Sequence, residues 1–545
     1  MRLCLVVTLA VAVVLSGSAL PANATSFLTQ TVDPSAAQSI YGSLLGLAVD
    51  SQGRAHVAYI GSGGLRYASE TPGGWTLQTV PTGAAAIHGV ALDIDALDRP
   101  VIAYWSPGAP GCYHKLGLVT DTGSGWTPTS VLDCSLGEGL AMDLDPQGLP
   151  HMAYSSGFDG LHYVAPAGSS WSDEFVYSQP DYYPEMALAV DDAGRPHLAA
   201  QILGIRWVRY SVKEAGVWSH QTVEVLNSQR YYVSLALDGS GTPSLAYMDT
   251  GTNTLRFASR TASGWNPLSV PGTTSGTHTS LAIDSQGDPR IAYSDGQLRY
   301  VSRKAGAWTV ERVAAGGTYA SLKLDANDMP RMAYIGEHGL QYSRGVRAEL
   351  RFAPAKLNIH RDAPWVTVFV EAVDFDPAAL DVSSLRIGSA APEPKFAILG
   401  DVDADGVPDL MLKFAASGLT PMLHDGANAV VLTGRLLTGE EVAIAGTMRV
   451  VDPGPHAAEG LSLRIVSRSG MDPVSYVVGG TARAARVQVF DVQGRLVRSW
   501  ANVPLETVRT WDGTREDGVR VGSGLYFIRA DRPGVSAVRR VVVRR

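Results

Sequence analysis

A chain of 545 residues, 45% apolar and 18% charged, is too long for one ordinary hydrophobic core, so two to four domains are expected. Its 58 glycines and 31 prolines, without any long amphipathic helical pattern, favour an all-β chain rich in turns. The net charge of −8 excludes a general electrostatic case for nucleic-acid binding, although the charge is uneven: from Thr481 onward thirteen arginines and no lysine stand against six acids.

The first 24 residues read as a secretory signal. Arg2 supplies the positive start, Leu3 to Leu15 the apolar stretch, and Ala22-Asn23-Ala24 a small-x-small cleavage site, so the mature protein is expected to begin near Thr25. No later segment is long and apolar enough to span a bilayer once that signal is removed. Cys4 leaves with it, and Cys112 and Cys134 remain in a chain bound for an oxidising compartment.

Residues 25–345 carry an internal repeat. LAVDSQGRAHVAY returns as LDIDALDRPVIAY, MDLDPQGLPHMAY, LAVDDAGRPHLAA, LALDGSGTPSLAY, LAIDSQGDPRIAY and LKLDANDMPRMAY, with the aspartates at Asp50, Asp95, Asp145, Asp191, Asp238, Asp284 and Asp325. A period near 45 residues with β-type patterning predicts a seven-bladed β-propeller of four-stranded blades. Six tryptophan-led fourth strands serve seven repeats. FLTQTV (Phe27 to Val32) matches WTLQTV (Trp75 to Val80), so the mature N-terminus is expected to donate the missing outer strand and close the ring. The repeated Asp ends the first strand of each blade, and Gly or Asp follows three residues later, which predicts a turn with positive φ shaped by the Asp side chain. The position six after the Asp holds His56, His151 and His197 but also Ser244, Arg290 and Arg331, which reads as a tolerant polar surface position. In the second repeat, a hairpin centred near residue 123 places Cys112 opposite Cys134 and predicts a disulfide staple.

Departures from the repeat are the candidate sites. Two residues before the Asp, where four repeats have Ala, the chain has Asp93, Asp143 and Lys323, expected at the channel mouth. The loops between fourth and first strands, and between second and third, gather Trp105, Tyr182, Tyr183, Tyr231, Tyr232, His88, His278, Asp249 and Asp295 on one face. Exposed aromatics beside acids and amides suit stacking on a sugar ring or gripping a protein loop.

Residues 346–451 read as a β-sandwich holding GDVDADGVPDLMLKF. Asp401, Asp403, Asp405 and Asp409 take positions 1, 3, 5 and 9 of a calcium loop, and Val407 offers its carbonyl at position 7. Position 12 is Leu412, so the loop lacks the bidentate acid of an EF-hand and instead resembles the calcium-binding hairpin loops of integrin-type repeats. A structural Ca²⁺ is expected there. Residues 452–460 are a linker by composition.

The last section, 461–545, contains Phe490, Asp491, Gly494 and Arg495, then Trp511, Asp512, Gly513, Gly518, Ser523, Gly524 and Tyr526. On these residues it resembles the Ig-like domain of flagellar hook-capping proteins and the related C-terminal sorting domains of type IX secretion. That resemblance implies an Ig-like β-sandwich and an address across the outer membrane, or to the cell surface, of a Gram-negative bacterium, with the secretion machinery as a partner.

Searches for GxSxG, HExxH, CxxC and GxxxxGK[ST] return nothing, so no catalytic residue is assigned. The expected function is non-catalytic binding of a glycan or protein ligand at the propeller's loop face. A polysaccharide hydrolase or lyase using Asp93 and Asp143, or a passive component of the envelope, are the alternatives.

Overall fold

The computed structural model describes residues 25–36, 45–110, 112–135, 137–156, 160–178, 186–202, 206–226, 232–274, 276–358, 364–401, 406–451, 461–466, 473–479, 484–532 and 535–543. Residues 1–24, expected as a signal, residues 452–460, expected as a linker, and the candidate residues Tyr182, Tyr183, Tyr231, Asp403 and Asp405 lie outside them. The chain is nearly all β and divides into two compact units, the first built from most of residues 1–449 and the second mainly from 450–545.

Six four-stranded antiparallel sheets follow one another along the first unit, from Leu45–Val49 to Ala307–Ala314, an arrangement consistent with a β-propeller. A further group is formed by Thr318–Leu324, Pro330–Gly336 and Gly339–Val346, and its fourth member is the N-terminal strand Ser26–Asp33. The register runs from Ser26 opposite Val346 to Asp33 opposite Leu340. The first strands of successive groups lie side by side, and Leu45–Val49 lies beside Thr318–Leu324 as well, so the series returns to its beginning.

The seams between sheets explain the tryptophans that lead the fourth strands. Five of the six seam tryptophans meet a third-strand aromatic of the preceding sheet edge-on, among them Trp126 on Tyr67 at 5.0 Å, Trp218 on Tyr163 at 5.3 Å, Trp265 on Tyr210 at 5.1 Å and Trp75 on Tyr342 at 5.0 Å, while Trp171 packs in a cluster with Leu118. Phe27 stands where those tryptophans stand, packing on Tyr300 at 5.6 Å, as its alignment with Trp75 requires. The apolar clusters accordingly draw on two neighbouring sheets each. One joins Leu47, Val57 and Tyr59 to Ala333, Ile335, Leu340 and Tyr342.

The turn after each first strand is rebuilt almost identically. At the fourth repeat the Asp191 carboxylate accepts the amides of Ala193 and Arg195 through Oδ1, while the Gly194 amide donates to the Asp191 carbonyl. Gly53, Gly148, Gly194, Gly241 and Gly287 take φ between 74° and 81°, and where Asp replaces Gly, Asp98 and Asp328 take 59°. Those two aspartates have a second use. Asp98 accepts the Ser51 amide and hydroxyl at 2.8 and 2.7 Å, and Asp328 accepts the Ser285 amide and hydroxyl at 3.0 and 2.5 Å, clasping the turn of the preceding sheet.

Two expectations are corrected. The histidines six after the Asp are not on a tolerant surface: His56, His151 and His197 are buried at 6%, 8% and 3% exposure. Each sits between its Asp and a tyrosine. His197 Nε2 lies 3.2 Å from Asp191 Oδ2, and its Nδ1 lies 2.5 Å from the Tyr210 hydroxyl. Arg290 and Arg331 occupy the same position and reach the same carboxylate, at 2.6 and 2.7 Å, so the position supplies a partner for Asp Oδ2. Burial holds the three imidazoles below the usual histidine range, and a neutral ring donates from Nε2 to the carboxylate and accepts the tyrosine proton at Nδ1. The cysteines are bonded, with Cα atoms 5.1 Å apart, but not as facing members of a ladder. Bulges carry the hairpin register from Gly117 opposite Ser130 to His114 opposite Ser135, and Cys112 lies in the turn beyond that strand, where its amide donates to the Ala109 carbonyl.

Hydrogen bonding does not stop at residue 345. The N-terminal strand also pairs on its other edge with Glu441–Val451, Phe27 facing Ala443 and Thr29 facing Glu441. That strand is followed in the same sheet by Ala348–Ala353, Trp365–Ala372 and Asp409–Ala415. Ser26 ties the junction, donating to the Ala348 carbonyl at 2.8 Å and accepting the Ala445 amide at 3.2 Å. Val366, Val368, Val370, Leu412, Phe414 and Ile444 form the buried face.

In the second unit, a three-stranded sheet (Ser462–Ile465, Val474–Gly479, Val508–Trp511) and a four-stranded one (Leu496–Pro504, Ala484–Asp491, Gly524–Arg532, Val535–Val543) share one core around Trp511, Val487, Val489 and Ile528. The DVQGR turn repeats the geometry of the first unit's turns: Asp491 accepts the amides of Gln493 and Arg495 and the Arg495 guanidinium at 2.7 Å.

Candidate functional site

The starts of the inner strands differ from sheet to sheet, and there the structure gathers three aromatic rings. His278 lies between Tyr232 and Tyr319, with ring centroids 4.5 and 4.1 Å away. The three come from neighbouring sheets at one repeat position, six residues before Asp238, Asp284 and Asp325. All are half-buried. His278 and Tyr319 hold φ of 53° and 56°, a left-handed conformation costly for ring-bearing residues. Each sits at a β-bulge, between Thr277 and Ser280 in one strand and between Thr318 and Ser321 in the other. The bulges turn the ring-bearing residues out of the regular pleat and let the rings meet. Burial pushes His278 down to about 4, so the imidazole is neutral near pH 7, and its Nδ1 has no hydrogen-bond partner among the described residues.

The sequence singled out Tyr232 and His278 and missed Tyr319. The phrase GTHTSL at Gly276–Leu281 recurs as GTYASL at Gly317–Leu322, and that match is the signal that marks Tyr319.

Further along the inner strands, Asp93 and Asp143 are brought together on neighbouring sheets, with Lys323 near enough to act on Asp143. Four residues of strand separate this level from the aromatic rings, about 13 Å. Both carboxylates are engaged across the sheet boundary: Asp93 Oδ2 accepts the Leu144 amide at 3.2 Å, and Asp143 Oδ2 accepts the Val190 amide at 2.7 Å. Burial and the neighbouring Asp93 push the Asp143 carboxyl up, against the opposing charge of Lys323. The pair therefore stitches adjacent inner strands that exchange no ladder of their own.

Trp105 is a correction. It is 2% exposed, its indole N–H donates to the Gly139 carbonyl at 2.7 Å, and its ring meets Tyr154 edge-on, so it is packing material at a seam and presents no face to a ligand. Asp249 and Asp295 shape their own turns, Asp249 accepting the Gly251 amide and the Thr252 hydroxyl, and Asp295 pairing with Arg299 at 3.0 Å. His88 is exposed and meets His114 edge-on at 5.5 Å.

In the acidic loop, Asp401 Oδ2 accepts the Gly406 amide at 3.0 Å, and Gly406 has φ 90°, as the bend requires. Asp409 lies at the far end of the loop. It is fully buried at the start of a strand and pairs with Arg351 at 3.0 Å, so a guanidinium already balances it.

No family model matches the chain, and no curated protein sequence matches it. Among solved structures, AofleA from Arthrobotrys oligospora aligns at 15% identity over 54% of this chain and 91% of its own, with a TM-score of 0.39. The fucose-specific lectin from Aleuria aurantia aligns at 15% identity over 50% of this chain and 96% of its own, with a TM-score of 0.38. PorZ, a bacterial surface component of the type IX secretion system of Porphyromonas gingivalis, aligns at 14% identity over 93% of this chain and 75% of its own, with a TM-score of 0.32. All of these scores are low, and none transfers an activity to this chain.

Proposed function

We propose that this is a secreted or cell-surface, non-catalytic binding protein of a Gram-negative bacterium, and that its ligand is a glycan. The first unit is read as a seven-bladed β-propeller closed by residues 26–33, followed by a β-sandwich whose last strand, Glu441–Val451, extends the last blade. The second unit is read as an Ig-like sorting-type domain that meets the export machinery.

The observation that carries the ligand proposal is the Tyr232–His278–Tyr319 stack. Three half-buried rings from neighbouring sheets, two of them in left-handed backbone, form an aromatic surface of the kind that sugar rings stack on. Tyr182, Tyr183 and Tyr231, which lie outside the described residues, are proposed as further ligand contacts from the sequence alone. Against catalysis by Asp93 and Asp143 stands their use as acceptors for backbone amides of the next sheet. The deciding experiment is a glycan-array screen of the mature protein, followed by titration of the best hit against Tyr232→Ala and Tyr319→Ala. Each is expected to weaken binding at least tenfold with the fold intact. Release of product from any polysaccharide, abolished by Asp143→Asn, would establish the hydrolase or lyase instead.

The loop 401–409 is proposed to take a structural Ca²⁺ through Asp401, Asp403, Asp405, the Val407 carbonyl and Asp409. Addition of CaCl2 to the full chain is expected to raise its Tm, and Asp401→Asn is expected to remove that response. An unchanged Tm at millimolar Ca²⁺ would end the proposal.

A further inference from the structure

The closing strand begins at a place where every other sheet has a turn. In the first six sheets the third and fourth strands are joined by a hairpin just before the Trp position, for example Thr71 to Gly74 ahead of Trp75. In the last group the strand at Trp position Phe27 has no such connection, because it comes from the other end of the chain. Thr25 occupies that spot.

Facing it is an acid that the fold otherwise leaves half-satisfied. Glu311 lies on the outer strand Ala307–Ala314 of the preceding sheet and is 8% exposed. Its Oε1 accepts the Thr25 backbone N–H at 2.7 Å, and its Oε2 is buried without a hydrogen-bond partner among the described residues. Burial pushes the Glu311 carboxyl up to about 7, opposed by the amide and side chain of Thr25 and by the charge of Arg290. Arg290 is itself committed to Asp284 at 2.6 Å, and Tyr300, the cross-strand partner of Glu311, carries Phe27 on its ring. A single amide N–H is a poor match for a buried carboxylate with two acceptor oxygens. The next two residues fix the position of that nitrogen: Ser26 is bonded to Ala348 and Ala445, and Phe27 is 2% exposed.

We infer that signal removal between Ala24 and Thr25 supplies the missing partner: the new α-ammonium of Thr25 pairs with the Glu311 carboxylate and locks the closing strand to the preceding sheet. This rests on the reading of residues 1–24 as a cleaved signal. In the cleavage, water adds across the Ala24–Thr25 peptide bond. Its hydroxyl goes to the Ala24 carbonyl carbon and its proton to the Thr25 nitrogen, and the resulting amine takes up a further proton from solvent near neutral pH. The nitrogen, already 2.7 Å from Oε1, thereby passes from one donor to three and gains a positive charge beside the carboxylate. The precursor lacks this pair and carries an incompletely satisfied acid in its place, so the ring closes more firmly after processing than before.

The test uses four full-length chains: one beginning at Thr25, one retaining Ala22-Asn23-Ala24 ahead of it, and each of these with E311Q. N-terminal sequencing of the secreted protein fixes the native first residue. The Thr25 chains are also made by cleaving a fusion that leaves Thr25 first, so the pairing is decided whatever sequencing finds. The chain beginning at Thr25 is expected to melt several degrees above the longer one, and E311Q is expected to abolish that difference. E311Q lowers Tm in the short chain and leaves it equal or higher in the long chain, where it removes an unpaired acid. Equal Tm values for the two unsubstituted chains, or the same E311Q shift in both backgrounds, would overturn the pairing. Should E311Q fail to fold in the short chain alone, that outcome supports the pairing; failure in both backgrounds overturns it. A native first residue other than Thr25 would refute the cleavage site while leaving the engineered comparison to judge the geometry.

Discussion

The two ends of the inner strands obey different rules. At the end marked by the repeated Asp, each turn is nearly a copy of the last: the carboxylate accepts two amides and, in six of the seven, a basic or imidazole partner as at Asp191, while Asp238 takes the Ser240 hydroxyl instead. At the opposite end, three neighbouring sheets carry Tyr232, His278 and Tyr319 at a position where another has Gly139, and bulges replace the regular pleat. The same strand thus has a scaffold end, where repetition is enforced by hydrogen bonds, and a variable end, where backbone strain is tolerated. Strain that persists beside so uniform a scaffold points to use, which is why the aromatic stack and not the repeated Asp is the candidate site.

That contrast can be broken most severely at the scaffold end. Asp191→Ala strips partners from two amides, Arg195 and His197 at once, and is expected to cost about 3 kcal/mol of unfolding free energy in denaturant titrations. Asp491→Ala removes the same turn in the second unit, but from a solvent-facing site, and calorimetry is expected to show a marginal shift in its melting. Equal effects would mean that burial adds nothing to the motif.

The variable end is sharpened by pH. An unfolded histidine titrates near 6.5, whereas burial holds folded His278 at about 4. As pH falls, the unfolded chain binds that proton first. The stability due to neutral His278 is therefore intact above 6.5 and drains between 6.5 and about 4, by up to about 3 kcal/mol. His278→Asn, which keeps a side chain tolerant of left-handed backbone, is expected to flatten the acid limb of the stability profile in that window. An unchanged limb would place the proton uptake on the other buried histidines.

Smaller effects belong to the seams. Reducing Cys112–Cys134 opens a loop with a sequence separation of 22 residues, for which chain entropy predicts a loss of at most about 3 kcal/mol. The hairpin already holds the two chains together, so the expected Tm change lies well below that ceiling. Asp98→Gly removes the clasp on Ser51 but relieves a side chain at φ 59°, and is expected to change stability by less than about 1 kcal/mol.

Much of the scaffold was legible in the residues. The period located every Asp turn, and the likeness of FLTQTV to WTLQTV put Phe27 in the place of a seam tryptophan, where it meets Tyr300. What misled was local reasoning about partners. His56, His151 and His197 looked interchangeable with Arg290 and Arg331 and hence exposed, when the shared property is a hydrogen bond to the preceding Asp. Trp105 looked like a loop aromatic, but the cross-sheet acceptor at Gly139 that buries it is set by tertiary contact alone. Tyr319 was hidden because a bulge, invisible to a two-residue period, decides which way it faces. The hairpin centre near residue 123, which set the cysteines opposite each other, ignored the same kind of irregularity.

The most direct test of the contrast between the two ends is amide hydrogen exchange of the mature protein with and without the glycan identified by array. Ligand is expected to slow exchange at the strand starts around Tyr232, His278 and Tyr319 and to leave the Asp turns unchanged. Protection at the Asp turns, with none at the aromatic stack, would contradict it.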